Sequence, residues 1–291
     1  MNASTTQRPA RRRGHVRRTF DARVQEEWGR YATEPRRRLQ HALRVRFLHQ
    51  HLRGVRGTVL ELGPGPGRFT PELRCRVGRR VLAIDLSRQS LREARRRAGR
   101  APRAGRIDWV QGAGECLPIA SDSLDGAVVL GNIVSFAARE GPEVLRELHR
   151  ALRRGAPLVI DFPSPAASLQ EFFHSAAKKR ALPRILRRPR FYLVHQVLDT
   201  GFQPYAPVRN ARWEFRFYTV MQAEQALAEA GFHATDVMSV APIASHQDRV
   251  AASAYRDRRT WRNLLRIEEQ VGRRSGTYEA GHGFVVAAIK R

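Results

Sequence analysis

Lysine is nearly missing from this 291-residue chain. It stands only at positions 178, 179 and 290, so arginine supplies 50 of the 53 basic residues. Acids are scarce too, 27 against those 53, which leaves a formal charge of +26. So basic a chain either attracts polyanions (RNA, DNA or an anionic membrane) or carries a solvated basic surface. Cysteine occurs twice, at Cys75 and Cys116, without metal-ligand spacing. Two free thiols in a reducing compartment are expected, hence a cytoplasmic protein. No run of about 18 apolar residues could cross a bilayer, and the N-terminus lacks the apolar core of a signal peptide. The ten histidines form no His-Glu-x-x-His pattern, so no metal is expected.

The chain does have a stretch suited to close approach of backbone and ligand. Residues 59–69 read Val-Leu-Glu-Leu-Gly-Pro-Gly-Pro-Gly-Arg-Phe. Val59, Leu60 and Leu62 suit a strand covered on both faces. Gly63, Gly65 and Gly67 clear side chains from the following turn, which Pro64 and Pro66 stiffen. The dinucleotide fingerprint wants a glycine where Arg68 stands. Glu61 would repel a pyrophosphate and suits a cationic or hydroxyl-bearing ligand. The stretch resembles the first motif of the class I S-adenosylmethionine-dependent methyltransferases (the type 11-like domain family), an acid followed by alternating glycines.

The resemblance continues downstream. A second strand over 81–84 ends at Asp85, and Ser87 is placed to cap the next helix. An acid about 20 residues past the glycine loop is positioned to accept hydrogen bonds from ribose hydroxyls. After a third strand, 107–110, Gly112-Ala113-Gly114-Glu115-Cys116-Leu117-Pro118-Ile119 resembles the family's Gly-Asp-Ala-Glu-x-Leu-Pro-Phe segment. Ala113 stands where an aspartate usually faces the adenine. Ser123-Leu124-Asp125-Gly126 matches the family's entry to strand four, and 148–160 its helix, turn and strand five. Composition and spacing alone give a doubly wound α/β fold. The resemblance implies a Rossmann-like, seven-stranded, mostly parallel sheet with an antiparallel last pair. It implies S-adenosylmethionine as cofactor, with Glu61, Gly63, Gly65 and Gly67 at the methionyl end, Asp85 at the ribose and Leu86 also in the cofactor site. The Gly114 N–H would reach the adenine ring, Glu115 would either compensate for Ala113 or be a surface acid, and Gly131 would lie beside the methyl donor.

The chain divides into a basic disordered arm (1–20), N-terminal helices (21–56), the cofactor-binding core (57–161), a helical lid insertion (162–212) and the rest of the same sheet (213–291). Among the N-terminal helices, Trp28 and Tyr31 belong to the cleft or to the core. The insertion is too long for a simple connection. In the lid, Tyr192, Tyr205 and Arg212 are candidate acceptor contacts, and His174 and His195 candidate general bases. Lys178, Lys179 and Arg180 beside Phe172 and Phe173 suit an apolar acceptor with an anionic group. One helix is expected over 255–271. The expected reaction is methyl transfer to O, N or C of a small-molecule acceptor, lipid-like or anionic, by in-line displacement. The alternatives are an RNA methyltransferase that uses the basic surface, and a non-catalytic member that acts through partners. No Asn-Pro-Pro-Tyr follows strand four, which argues against base-amino methylation of nucleic acid.

Overall fold

The computed structural model describes residues 3–76, 80–99, 105–170, 197–208, 211–245 and 247–291; at 3–11, 32, 76, 203–208 and 211–213 only the backbone is described. Two helices come first, α1 (Ala3–Thr33) and α2 (Pro35–His51), separated at Glu34, with Pro35 opening the second. There follow β1 (Thr58–Leu62), α3 (Thr70–Arg76), β2 (Arg80–Asp85), α4 (Arg88–Ala98), β3 (Arg106–Gln111), β4 (Gly126–Val129), α5 (Ile133–Ala137), α6 (Gly141–Ala151) and β5 (Pro157–Phe162). The chain ends with β6 (Phe202–Val208), β7 (Ala211–Arg216), α7 (Val220–Glu229), β8 (Phe232–Ser239), α8 (Asp248–Tyr255), α9 (Arg258–Gly272) and β9 (Phe284–Lys290).

Seven strands form one sheet in the order β3-β2-β1-β4-β5-β9-β8. The first five run parallel, and β9 is antiparallel to both β5 and β8. The central strands are apolar at nearly every position because both faces are covered. Leu60, Val129, Ile160 and Val286 point to a core shared with α6 and α7, where Leu148 and Leu227 pack. Val59, Val128, Val159 and Val285 point the other way, onto Leu39, Leu43 and Phe47 of α2 and Leu265 of α9. Alternate residues of each strand thus serve opposite cores.

Three expectations are corrected. From Ala3 the arm expected to be disordered instead belongs to α1. Arg12 Nη1 donates to the Phe136 carbonyl at 2.7 Å and its guanidinium pairs with Glu115 and Glu140, while Phe20, Leu86 and Phe136 pack on buried Val16. The tertiary contacts supply what the arm's composition lacks. Second, residues from 213 do not re-enter the main sheet directly. β7 pairs with β6 in a separate hairpin, and the core resumes at α7, where Thr219 and Gln222 form a reciprocal cap. Third, 255–271 is not one helix. Asp257 breaks it and accepts the Thr260 N–H at 2.6 Å to cap α9. Residues 171–196 of the expected lid lie outside the described residues.

The Arg12 contacts set the docking of α1. Arg12→Ala should raise amide exchange across residues 12–24 by about tenfold or more, the equivalent of a lost charged hydrogen bond. Hydrogen-exchange mass spectrometry checks this; unchanged exchange would show that the apolar stripe alone holds the helix.

Candidate active site

The carboxyl ends of β1 to β4 open onto a cavity of about 410 Å³. It lies where strand order reverses between β1 and β4, the usual ligand crevice of an open α/β sheet. One wall is the glycine loop 63–67. Gly63 and Gly67 have φ of +71° and +88°, and a β-carbon would meet Ile133 Cδ1 at 2.1 Å and Ala94 Cα at 3.1 Å respectively. Gly65, also at positive φ, faces open space, so its missing side chain is room for a ligand. Gly114 is glycine for packing, since a β-carbon there would lie 3.1 Å from Leu62 Cδ2.

Asp85, at the end of β2, holds the loop. Its Oδ2 accepts the Gly65 N–H at 2.9 Å and its Oδ1 the Ser87 N–H at 2.7 Å. Part of it faces the cavity, yet the protein packed around it pushes its carboxyl up to about 6. Ser87 caps α4 by accepting the Ser90 N–H, and also donates to Asp21 of α1 at 2.6 Å. Asp85 is therefore not needed as the cap. Glu61 sits at the base of the loop, 2% exposed, and is not on the cavity wall. Neither of its oxygens meets a hydrogen-bond partner. Burial pushes its carboxyl up to about 7, despite the nearby Thr70 hydroxyl and Arg68.

Leu86, Gly114, Glu115 and Gly131 line the cavity and Ala113 does not. Glu115 is no surface acid: Arg12 and Arg13 of α1 reach it at 3.1 and 3.6 Å. Gly131 donates its N–H to Asp161 Oδ1 at 2.9 Å. Tyr31 lies in the cleft, with the Arg68 guanidinium 3.6 Å above its ring. Trp28 lies off the cavity wall, under Arg97. His174, Tyr192 and His195 lie outside the described residues, as do the side chains of Tyr205 and Arg212, whose backbones belong to β6 and β7.

Sequence reasoning missed the rest of the wall. Val16, Phe20 and Val24 put one face of α1 along the cavity. Their helical spacing was the available signal, hidden among arginines. Phe136 and the hairpin's Phe215 and Phe217 complete it, with His282, whose Nε2 lies 2.5 Å from Arg37 Nη1. Among the described residues no group of three His, Cys, Asp or Glu side chains could hold a metal ion, and Cys75 and Cys116 are both free.

Residues 59–155 match the methyltransferase domain family. The core is a class I methyltransferase domain. A ubiquinone/menaquinone biosynthesis C-methyltransferase of Syntrophotalea carbinolica is 30% identical over 131 residues, 44% of this chain and 54% of that protein. An O-methyltransferase of Penicillium expansum is 30% identical over 37% of this chain and 40% of its own length. The chain thus spans about half the length of these relatives. Among solved structures, the Burkholderia thailandensis 1,6-didemethyltoxoflavin-N1-methyltransferase, with its substrate and S-adenosylhomocysteine bound, superposes with a TM-score of 0.57 at 18% identity, covering 97% of this chain and 90% of that one. At that identity the likeness concerns the fold.

These residues fit S-adenosylmethionine. The orphaned Glu61 oxygens and partly open Asp85 put negative potential around a loop that leaves space at Gly65. Arg68 offers a cation for which no carboxylate partner is found among the described residues. Because the folded-state value of Glu61 lies above its ordinary 4.5, native stability is lost as pH rises from about 4.5 to 7. Glu61→Gln should therefore stabilise the empty protein at pH 8, by up to about 3 kcal/mol, and little at pH 4.5. It should also weaken donor binding and abolish any tightening between pH 6 and 8. Calorimetric melts and titrations across that range check both signs.

Proposed function

We propose that the chain is an S-adenosylmethionine-dependent methyltransferase acting on a small, largely apolar acceptor. The observation that carries this is the pairing of a glycine loop, held open at Gly65, with the Asp85 carboxylate inside one cavity. Asp85 would accept from the ribose hydroxyls. Glu61 would face the positive end of the donor through the loop, and Arg68 would take its carboxylate. Leu86 and Gly114 would bracket the adenine, with Glu115 fixed beside it by Arg12. The bound donor supplies an activated methyl group; the protein's work is alignment and exclusion of water.

The acceptor half of the reading rests on a run of aromatic edges. Phe20 meets Phe136 at 5.1 Å, Phe136 meets Phe215 at 4.8 Å, and Phe215 meets Phe217 at 5.0 Å between ring centres. Such a wall suits a flat or lipid-like molecule. The relatives named above are a C- and an O-methyltransferase, so carbon and oxygen are both acceptor atoms to assay. An RNA acceptor is the second reading, supported by exposed Arg258, Arg262 and Arg266 along one side of α9. The same arginines, near exposed Tyr255 and Ile267, suit contact with an anionic membrane surface.

Thermal shift should show stabilisation by S-adenosylmethionine and S-adenosylhomocysteine and none by NAD. Asp85→Ala should weaken donor binding by about 1.5–3 kcal/mol, and Gly65→Val should abolish it. Stabilisation by NAD alone would sink the reading. Mass spectrometry of cell extract incubated with enzyme and labelled donor then finds the acceptor.

For a small apolar acceptor, Phe215→Ala should raise KM about tenfold or more at unchanged donor affinity, in line with loss of a packed aromatic contact. An RNA acceptor predicts the opposite pattern. Arg258, Arg262 and Arg266 replaced together by Gln would then weaken turnover, with a steep salt dependence, while Phe215→Ala would not.

A further inference from the structure

A second carboxylate at a strand end does for the loop after β4 what Asp85 does for the glycine loop. Asp161 of β5 is 1% exposed. Its Oδ1 accepts two adjacent main-chain N–H groups, Gly131 at 2.9 Å and Asn132 at 2.8 Å. Both donors sit at positive φ, +106° and +62°, and a non-glycine residue such as Asn132 is seldom held there. Both line the cavity. The other oxygen, Oδ2, accepts from Arg44 Nε of α2 at 3.0 Å, and Arg44 is itself buried. A buried carboxylate with this geometry is costly unless its charge is matched, and Arg44 supplies the match.

We propose that Asp161 is a positioning residue for methyl transfer. It holds the Gly131–Asn132 main chain against the cavity, and Arg44 makes that hold depend on docking of α2. The proposal rests on the reading of the cavity as the donor site. Two contacts to one carboxylate oxygen fix two consecutive peptide planes, which a single contact would leave free to turn. The N-terminal helices are then coupled to the loop beside the reacting methyl through one buried ion pair.

Two double variants separate loop holding from charge, since each removes both ions and avoids leaving one buried alone. Arg44→Met/Asp161→Asn retains a side-chain carbonyl for the two N–H groups; Arg44→Met/Asp161→Leu does not. Amide exchange at Gly131 and Asn132 by NMR, S-adenosylhomocysteine affinity by calorimetry, and melting temperature are measured on all three proteins. The expected result is similar melting of the two variants, near wild-type protection and affinity in the Asn pair, and a loss of about tenfold or more in both for the Leu pair. Equal affinity in the two pairs, or protection lost with affinity intact, overturns the proposal. If the Leu pair does not fold, Asp161→Glu keeps the charge opposite Arg44 while moving the oxygens by one methylene. The same tenfold loss is expected there, and unchanged binding overturns the proposal. Failure of the wild-type protein to bind S-adenosylhomocysteine would refute the donor-site reading instead, and the amide exchange would still judge whether Asp161 holds the loop.

Discussion

Carboxylates that accept main-chain N–H groups hold the loops of this molecule in place. Asp85 takes Gly65 and Ser87, and Asp161 takes Gly131 and Asn132. Away from the cavity, Asp125 takes Thr58 at 2.7 Å, Glu147 takes Leu117 at 2.8 Å, and Glu279 takes Val220 at 2.9 Å. Glu268, fully buried, takes both Ile243 and Ala244. Each of these contacts satisfies a loop donor that helix and sheet leave over, and a charged acceptor makes it stronger than a neutral one. A chain with 27 acids uses several of its most buried ones in this way.

Arginine plays the complementary part with carbonyls and ring faces. Arg74 donates to the carbonyls of Gly105 and Ala98, Arg150 to those of Ile119 and Leu117, and Arg12 to that of Phe136. Arg68 lies over Tyr31 at 3.6 Å and Arg97 over Trp28 at 3.9 Å. A planar fork with five donors bridges several loop carbonyls at once and stacks flat on a ring; a lysine ammonium does neither as well. The near-absence of lysine therefore has structural consequences, whatever its origin. A charge of +26 is tolerated partly because many guanidinium groups face carbonyl dipoles and aromatic faces.

The sheet was legible because its signals are local. Continuous apolar runs mark strands covered on both faces, as at 157–160, and an acid or glycine marks each strand end that faces a ligand. The glycine loop and the carboxylate that holds it were legible for the same reason: Gly63, Gly65, Gly67 and Asp85 lie within one βαβ unit. The aromatic wall of the cavity was not. Val16, Phe20 and Val24 sit among Arg17, Arg18 and Arg23, and in isolation such a segment reads as a solvated arm; its apolar face acquires meaning only against Leu86 and Phe136, more than 60 residues away. Phe215 and Phe217 looked like part of the main sheet, because alternation marks a strand and does not say which strand pairs with it. Asp161 read as a strand terminus, and its partners 30 residues earlier were invisible to any local pattern.

These pieces make the cavity electrically uneven. Burial raises Glu61 to about 7 and Asp85 to about 6, so both carboxylates are easily neutralised, even though Arg68 near Glu61 works against that shift. Burial first, and then the Arg68 and Arg44 guanidinium groups, drive His41, stacked on Phe69, down to about 4. A ligand whose positive and negative groups are separated along its length relieves both ends at once. Its cation would draw the two carboxylates toward ionisation and release protons, and its anion would meet Arg68. A neutral ligand would leave Glu61 protonated for much of the time near pH 7 and would gain little from the polarity of the site. The arrangement thus discriminates by charge separation before any hydrogen bond to a ribose or a ring is made, and the field that does so is set by which acids the fold buries.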